Sequence, residues 1–388
     1  VAPAVTSRIL KVLKESGINF FAMFPCEKIS GLYDLISQEN EFRHVYLTRE
    51  EEGVGICAGV FLAGARPAML IQSSGIGNMV NALSSLTQTY RMPLLILASW
   101  RGKYDEKIPA QIPLGRHMPK LLEALEIEYT VIETPDDIPL IGEAAGRAYG
   151  NGEIQVVLLS PKLSEGEAIA KKAGGEGEKR TEAEIRREES AGNVAKRRVV
   201  PLFTRFEILQ SIASFLDGKI VVCNLGIPCK ELYSVKNQKS NFYMLGSMGL
   251  ASPIGLGISL FTSKEVVVID GDGSLMMDLG ALTTAAREGG PNLTILAIDN
   301  GVHGSTGNQP TATAYGADLE MIARGSGFIR TFKAADIGMI LSTLPLLPSG
   351  PNFLHVPAKP GNAQVPNVPL TPIEIRNNVI EAIANGNG

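Results

Sequence analysis

Two short apolar runs, each closed by an acidic, glycine-bearing turn, constrain this chain more than any other feature. The first is Val266-Val267-Val268-Ile269, ending in Asp270-Gly271-Asp272-Gly273-Ser274. The second is Leu293-Thr294-Ile295-Leu296-Ala297-Ile298, ending in Asp299-Asn300-Gly301. Both are rich in β-branched residues and bounded by turn formers, which predicts two buried parallel strands joined by a crossover helix over residues 275–288. Asp272 and Asn300 then stand at the carboxyl ends of neighbouring strands, the edge at which open α/β sheets bind ligands. Glycines there let a ligand approach the backbone, and amides at the start of the next helix favour a phosphate. Asp272 and Asn300 add hard oxygen donors of the kind Mg²⁺ takes alongside phosphate oxygens and water. A diphosphate held through Mg²⁺ is the expected ligand.

The rest of the chain repeats the strand and helix alternation. Strands are expected at residues 20–24, 45–48, 68–72, 94–98, 129–132 and 155–159, with helices at 5–15, 53–63, 78–90, 119–125 and 138–149 between them. Residues 1–164 therefore read as one α/β domain with a parallel sheet covered on both faces. From 165 to 198 the composition turns to Glu, Lys, Arg, Gly and Ala, which predicts a charged flexible linker with a short helix near 181–189. Residues 199–388 form a second α/β domain, with a helix over 204–216, strands at 219–223 and 352–356, and a C-terminal helix over 372–385. The expected fold class is α/β, with two doubly wound parallel-sheet domains and no domain between them.

Composition narrows the function. A net charge of −4 and the lack of a basic, aromatic-bearing stretch argue against nucleic acid as a partner. No apolar run approaches membrane-spanning length, and no signal-peptide pattern opens the chain. Cys26, Cys57, Cys223 and Cys229 have neither metal-ligand nor disulfide spacing. A cytoplasmic protein is expected.

The Gly271-Asp272-Gly273-Ser274 turn, a helix and strand, and then Asp299-Asn300 resemble the motif of thiamin diphosphate enzymes, a GDG turn followed by an Asn pair. Position 299 departs from it, being Asp. The resemblance implies Mg²⁺ bound by Asp272, Asn300 and the main-chain carbonyl of Val302. A second half of the same site precedes it. Thr48-Arg49-Glu50-Glu51-Glu52-Gly53 leads to Gly59, and Glu50, nine positions before Gly59, is similar to the family glutamate that hydrogen-bonds the cofactor's aminopyrimidine. Glu51 and Glu52 are read as solvated acids favouring a helix N-terminus. Tyr243-Met244-Leu245-Gly246-Ser247-Met248-Gly249 resembles the stretch that places a methionine beneath the cofactor, which assigns that role to Met248. Gly226, Gly246, Ser247, Gly271, Gly273 and Ser274 are implied to line the diphosphate and pyrimidine.

Within that family the chain is similar to the sulfopyruvate decarboxylases, as a fusion of what are elsewhere two subunits, and shares much with the phosphonopyruvate decarboxylases. The resemblance implies release of CO2 from 3-sulfopyruvate to give sulfoacetaldehyde, in coenzyme M biosynthesis. It also implies a homodimer or homotetramer, with each site between the first domain of one chain and the second of another. A small 2-oxo acid with an anionic tail needs cationic or N–H donors, and Arg116, His117 and His303 are the residues expected to supply them. Two other classes stay open on the residues. Residues 267–274 look like the first motif of haloacid-dehalogenase-type phosphatases, with Asp270 as nucleophile and Asp272 as acid, and a nucleotide-binding protein without catalysis is a third reading.

Overall fold

The computed structural model describes residues 4–163, 200–334, 336–346 and 350–385. The expected linker over 165–198 and the helix near 181–189 lie outside the described residues. Two six-stranded, wholly parallel sheets carry the fold. The first is built from β1 (Phe20–Met23), β2 (Arg43–Tyr46), β3 (Pro67–Gln72), β4 (Leu94–Ser99), β5 (Glu128–Ile132) and β6 (Ile154–Leu159), in the order β2-β1-β3-β4-β6-β5. The second is built from β7 (Ile220–Cys223), β8 (Asn241–Tyr243), β9 (Val266–Gly271), β10 (Leu293–Asp299), β13 (Arg330–Lys333) and β14 (Asn352–Pro357), in the order β13-β14-β10-β9-β7-β8. A two-stranded antiparallel hairpin, β11 (Val302–His303) with β12 (Gln309–Pro310), follows β10. The central strands β4, β6, β9 and β10 are apolar on both faces because helices cover both sides, as parallel sheets require.

The sheets behave as the apolar runs predict, while some connections differ. The single helix expected over 275–288 is two pieces, Asp272–Leu275 and Gly280–Glu288. The break lets the chain pass close to the first domain: a Cβ on Gly280 would sit 2.5 Å from Thr48 Oγ1. The stretch expected as one helix at 78–90 is α-helical over Ile76–Ala82 and then wound as a π-helix over Leu83–Gln88. Strands β8 and β13 and the helices Ser30–Gln38, Ile227–Val235 and Ile337–Thr343 are additions to the expected elements.

What positions the site is a seam between the two domains. The helix Glu50–Leu62 lies against the helix Ala251–Ser259 with their N-termini side by side. Backbones touch there, since a Cβ on Gly59 would fall 2.1 Å from the Ile254 carbonyl oxygen and one on Gly257 would fall 2.1 Å from that of Ile56. Around this contact Tyr90 donates from its hydroxyl to the Tyr243 carbonyl at 2.7 Å and accepts from the Leu245 amide at 2.9 Å. Glu52, expected on a solvated face, is instead fully buried in the seam, where it accepts from the Thr284 hydroxyl at 3.1 Å and from Thr48. Burial raises its pKa, and the hydrogen bonds from Thr48 and Thr284 only partly oppose that. Nearby Asp278 is pushed up to about 6 by burial and by the charge of Glu52.

Candidate active site

Parallel pairing sets Ile298 opposite Gly271, so the turns after β9 and β10 open at one edge of the sheet. One pocket at that edge is lined by Met248, Gly271, Asp272, Gly273, Ser274, Asn300, Val302 and His303, together with Arg205, Asn224 and Ser305. Three expected metal donors therefore share a pocket. Asp272 is buried and accepts from the hydroxyls of Thr311 and Thr313, the latter at 3.2 Å. Burial raises its pKa, the Thr311 hydrogen bond opposes this, and the Asp299 charge adds to it, so a cation beside it is electrostatically welcome. Among the described residues no group of three His, Cys, Asp or Glu could hold a metal alone. A carboxylate, an amide oxygen and a main-chain carbonyl are instead the incomplete oxygen set that Mg²⁺ fills with phosphate and water, so the residues fit the ion and its diphosphate together.

The glycines of the turn have a steric reason. A Cβ on Gly273 would lie 2.5 Å from His303 Cε1 and 2.8 Å from its Nδ1, so the His303 ring is packed on the turn itself. Gly226 adopts φ +82°, closed to most L side chains, and a Cβ there would meet Ser305 Oγ at 3.0 Å. Gly246 and Ser247 lie on the seam: the Ser247 hydroxyl is 2.6 Å from that of Ser85, and a Cβ on Gly246 would lie 2.9 Å from the Ser85 Cβ. Ser274 anchors the methionine loop by accepting from the Gly249 amide at 3.0 Å.

The Asp at position 299 has its own partners. It accepts from the Gly301 amide at 3.0 Å, the Thr313 hydroxyl at 2.7 Å and His355 Nε2 at 2.9 Å. Burial pushes its pKa up, but those hydrogen bonds prevail and hold it below the usual range. The departure from the Asn pair is thus absorbed by a buried histidine, while Asn300 keeps its place beside Asp272. Asp270, by contrast, is buried, turns Oδ1 back to the Gly271 amide at 2.8 Å and is pushed up to about 7 by burial. Asp270 lines the same pocket as Asp272, but a phosphatase nucleophile has to be ionised, and burial opposes the ionised form of this carboxyl.

On the first domain the helix expected from 53 already begins at Glu50, with Arg49 as the preceding cap position. Only 5% of Glu50 is exposed, and Oε2 accepts from Asn78 Nδ2 at 2.9 Å. Gly75 leaves room for the carboxylate, since a Cβ there would sit 2.5 Å from Oε1. Gly75 belongs to the turn after β3 and Asn78 to the first turn of the helix Ile76–Ala82 that follows, a stretch whose composition gave no cue to a carboxylate partner. Thr311 and Thr313, just past the hairpin that follows the second turn, and Arg205, distant in sequence from both turns, were likewise unmarked. Arg116 and His117 are exposed on the helix Ile112–Ala124, whose buried Gly115 packs on Arg101 and Gly102. The pocket beside Asp272 does not include them.

Comparisons with known proteins show which family the chain belongs to. The thiamine pyrophosphate enzyme N-terminal TPP binding domain matches residues 4–127, and the C-terminal TPP binding domain matches residues 226–340. A sulfopyruvate decarboxylase of Methanosarcina acetivorans is 43% identical over 95% of this chain and 94% of its own length. A phosphonopyruvate decarboxylase of Streptomyces hygroscopicus is 32% identical over 92% of this chain and 88% of its own. The fold is shared with the thiamine diphosphate-dependent 4-hydroxybenzoylformate decarboxylase of Rhodococcus jostii RHA1, at a TM-score of 0.70 and 13% identity over 93% of this chain and all of that one. Among the described residues no helix is long and apolar enough to cross a membrane. The chain belongs to the thiamine pyrophosphate (thiamin diphosphate) enzyme family, in the branch that contains the sulfopyruvate and phosphonopyruvate decarboxylases.

Proposed function

We propose that this chain is a thiamin diphosphate- and Mg²⁺-dependent carboxy-lyase that converts 3-sulfopyruvate to sulfoacetaldehyde and CO2, in the cytoplasm and as a step of coenzyme M biosynthesis. The observation that carries the reading is the buried Glu50 carboxylate, tied to Asn78 at the head of the seam whose other helix follows directly on the Met248 loop. Higher identity to the sulfopyruvate enzyme than to the phosphonopyruvate enzyme favours the sulfonate.

When bound, thiamin diphosphate supplies the electron sink that decarboxylation of a 2-oxo acid requires. Glu50, buried and oriented by Asn78, would hydrogen-bond the aminopyrimidine and exchange a proton with it. Asp272, Asn300 and the Val302 carbonyl would hold Mg²⁺, with the amides of the Gly271–Ser274 turn facing the diphosphate. Met248 would support the cofactor from below. His303, fixed against Gly273, is available for proton transfer or substrate contact, and Arg116 and His117 are the proposed cations for the sulfonate. The test is CO2 release by the protein with thiamin diphosphate and Mg²⁺, comparing 3-sulfopyruvate, 3-phosphonopyruvate and pyruvate. We expect the highest kcat/KM for sulfopyruvate. Preference for phosphonopyruvate would move the substrate and keep the chemistry, and no release from any of the three would sink the proposal. In the same assay Arg116→Ala should raise KM for sulfopyruvate, and an unchanged KM removes that residue from the site.

We further propose a homodimer as the smallest working unit, with sites shared between chains as the resemblance implies. In the structure the seam closes within one chain. Its two faces belong to different domains, so two chains could exchange them and form the same contact.

A further inference from the structure

A buried ion pair beside the diphosphate pocket has no part in the reading above. Arg205 opens the helix Arg205–Ile212, capped by Thr204, and its side chain is only 9% exposed. Nε donates to Glu231 Oε2 at 2.7 Å and Nη2 to Asn362 Oδ1 at 3.0 Å. Glu231 is fully buried, and its second oxygen accepts from the Ala363 amide at 2.9 Å. Asn362 in turn donates to the Gly304 carbonyl at 2.8 Å, tying this cluster to the loop that carries His303.

Burying two charges costs desolvation that their attraction recovers poorly, so such a pair is weak evidence for a purely stabilising role. The geometry suggests another use. Two of the three guanidinium nitrogens are occupied, whereas Nη1 has no hydrogen-bond partner among the described residues, and Arg205 lines the same pocket as Gly271, Asp272 and Gly273. A guanidinium held at one edge by a carboxylate and an amide oxygen presents its remaining N–H groups in a fixed direction, which suits a phosphate oxygen better than a mobile lysine would. A diphosphate also carries more negative charge than one Mg²⁺ neutralises. We propose that Arg205, oriented by Glu231 and Asn362, is a phosphate-binding residue that donates from Nη1 to the diphosphate of the cofactor. This rests on thiamin diphosphate being the ligand of the pocket.

The experiment measures thiamin diphosphate affinity by calorimetry on the full chain with Mg²⁺, together with the phosphorus NMR spectrum of the bound cofactor. Arg205→Met alone would strand the buried Glu231 charge, so the variants are the neutral pair Arg205→Met with Glu231→Gln, and Arg205→Lys, which keeps a cation beside Glu231. We expect at least a tenfold weaker dissociation constant for the neutral pair and, in both variants, a displaced resonance for one of the two phosphorus atoms. Wild-type affinity in the neutral pair, or bound resonances in both variants that coincide with the wild type's, would overturn the assignment, since a packing role moves neither phosphorus selectively. Such a failure would leave sulfopyruvate decarboxylation standing. A wild-type chain that bound no thiamin diphosphate would overturn both.

Discussion

At the scale of single residues the site is made of groups whose surroundings, more than their identities, give them their roles. Three glutamates follow Arg49, yet only Glu50 has Asn78 on its carboxylate and the bare backbone of Gly75 beside it. Glu52, two positions on, is spent on the seam. Replacing Glu50 by Gln keeps the volume and the Asn78 contact and removes the carboxylate. We expect CO2 release to fall by roughly 10²- to 10⁴-fold, the range for a positioned proton-transfer group. Thiamin diphosphate affinity, read by calorimetry, should change far less. A Glu50→Gln variant that kept most of its turnover would remove Glu50 from the chemistry. Its resemblance to the family glutamate nine positions before a helix glycine, together with the distant metal motif, is what singles this residue out in the sequence. Asn78 and Gly75 were not legible, because their contact with Glu50 exists only once the segment after β3 is folded back against the helix that precedes that strand.

At the scale of elements the strands were the most legible and the connections the least. A run such as Val266-Val267-Val268-Ile269 has one way to bury four β-branched or apolar residues on two faces, and it became β9 in the middle of its sheet. The stretch after it shows the opposite case, since one helix was expected and the chain breaks over 276–279, with the second helix starting at Gly280 close to Thr48. The helix pair of the seam makes a sharper claim. Gly59→Ala would drive a methyl group into the Ile254 carbonyl, a backbone atom with no rotamer to yield, so we expect a loss of about 3 kcal/mol or more, at the upper end of overpacking costs. Gly146 is the control. It lies on the exposed side of the helix Pro139–Asn151 with nothing within 4 Å of an added methyl group, and Gly146→Ala should stabilise by roughly 0.5–1 kcal/mol. Denaturant unfolding of both variants tests the pair, and equal effects would mean that the seam is not the close contact described.

At the scale of the whole molecule the question is which chain completes which site. Glu50 and Asp272 stand in different domains, so chains carrying Glu50→Gln and Asp272→Asn, each inactive alone, can be unfolded, mixed and refolded. With sites shared across a two-fold dimer, one of the two sites in each mixed dimer is intact, and about a quarter of wild-type CO2 release should return. No recovery would mean that each chain closes its own site, as the seam does in the structure. What the sequence determined by itself was local and covalent: the apolar runs, the glycine turns at their ends, and the spacing that sets Asp272 against Asn300 and Glu50 against Gly59. Backbone sterics and strand periodicity act over a few residues, so they can be read without a fold. Only the tertiary structure decided that His355 would offset the Asp at position 299, that Arg205, Glu231 and Asn362 would gather beside the pocket, and that Glu52 would be buried between domains. Those outcomes depend on segments distant in sequence meeting in a low-dielectric interior, where each buried polar group has to find its partner by packing.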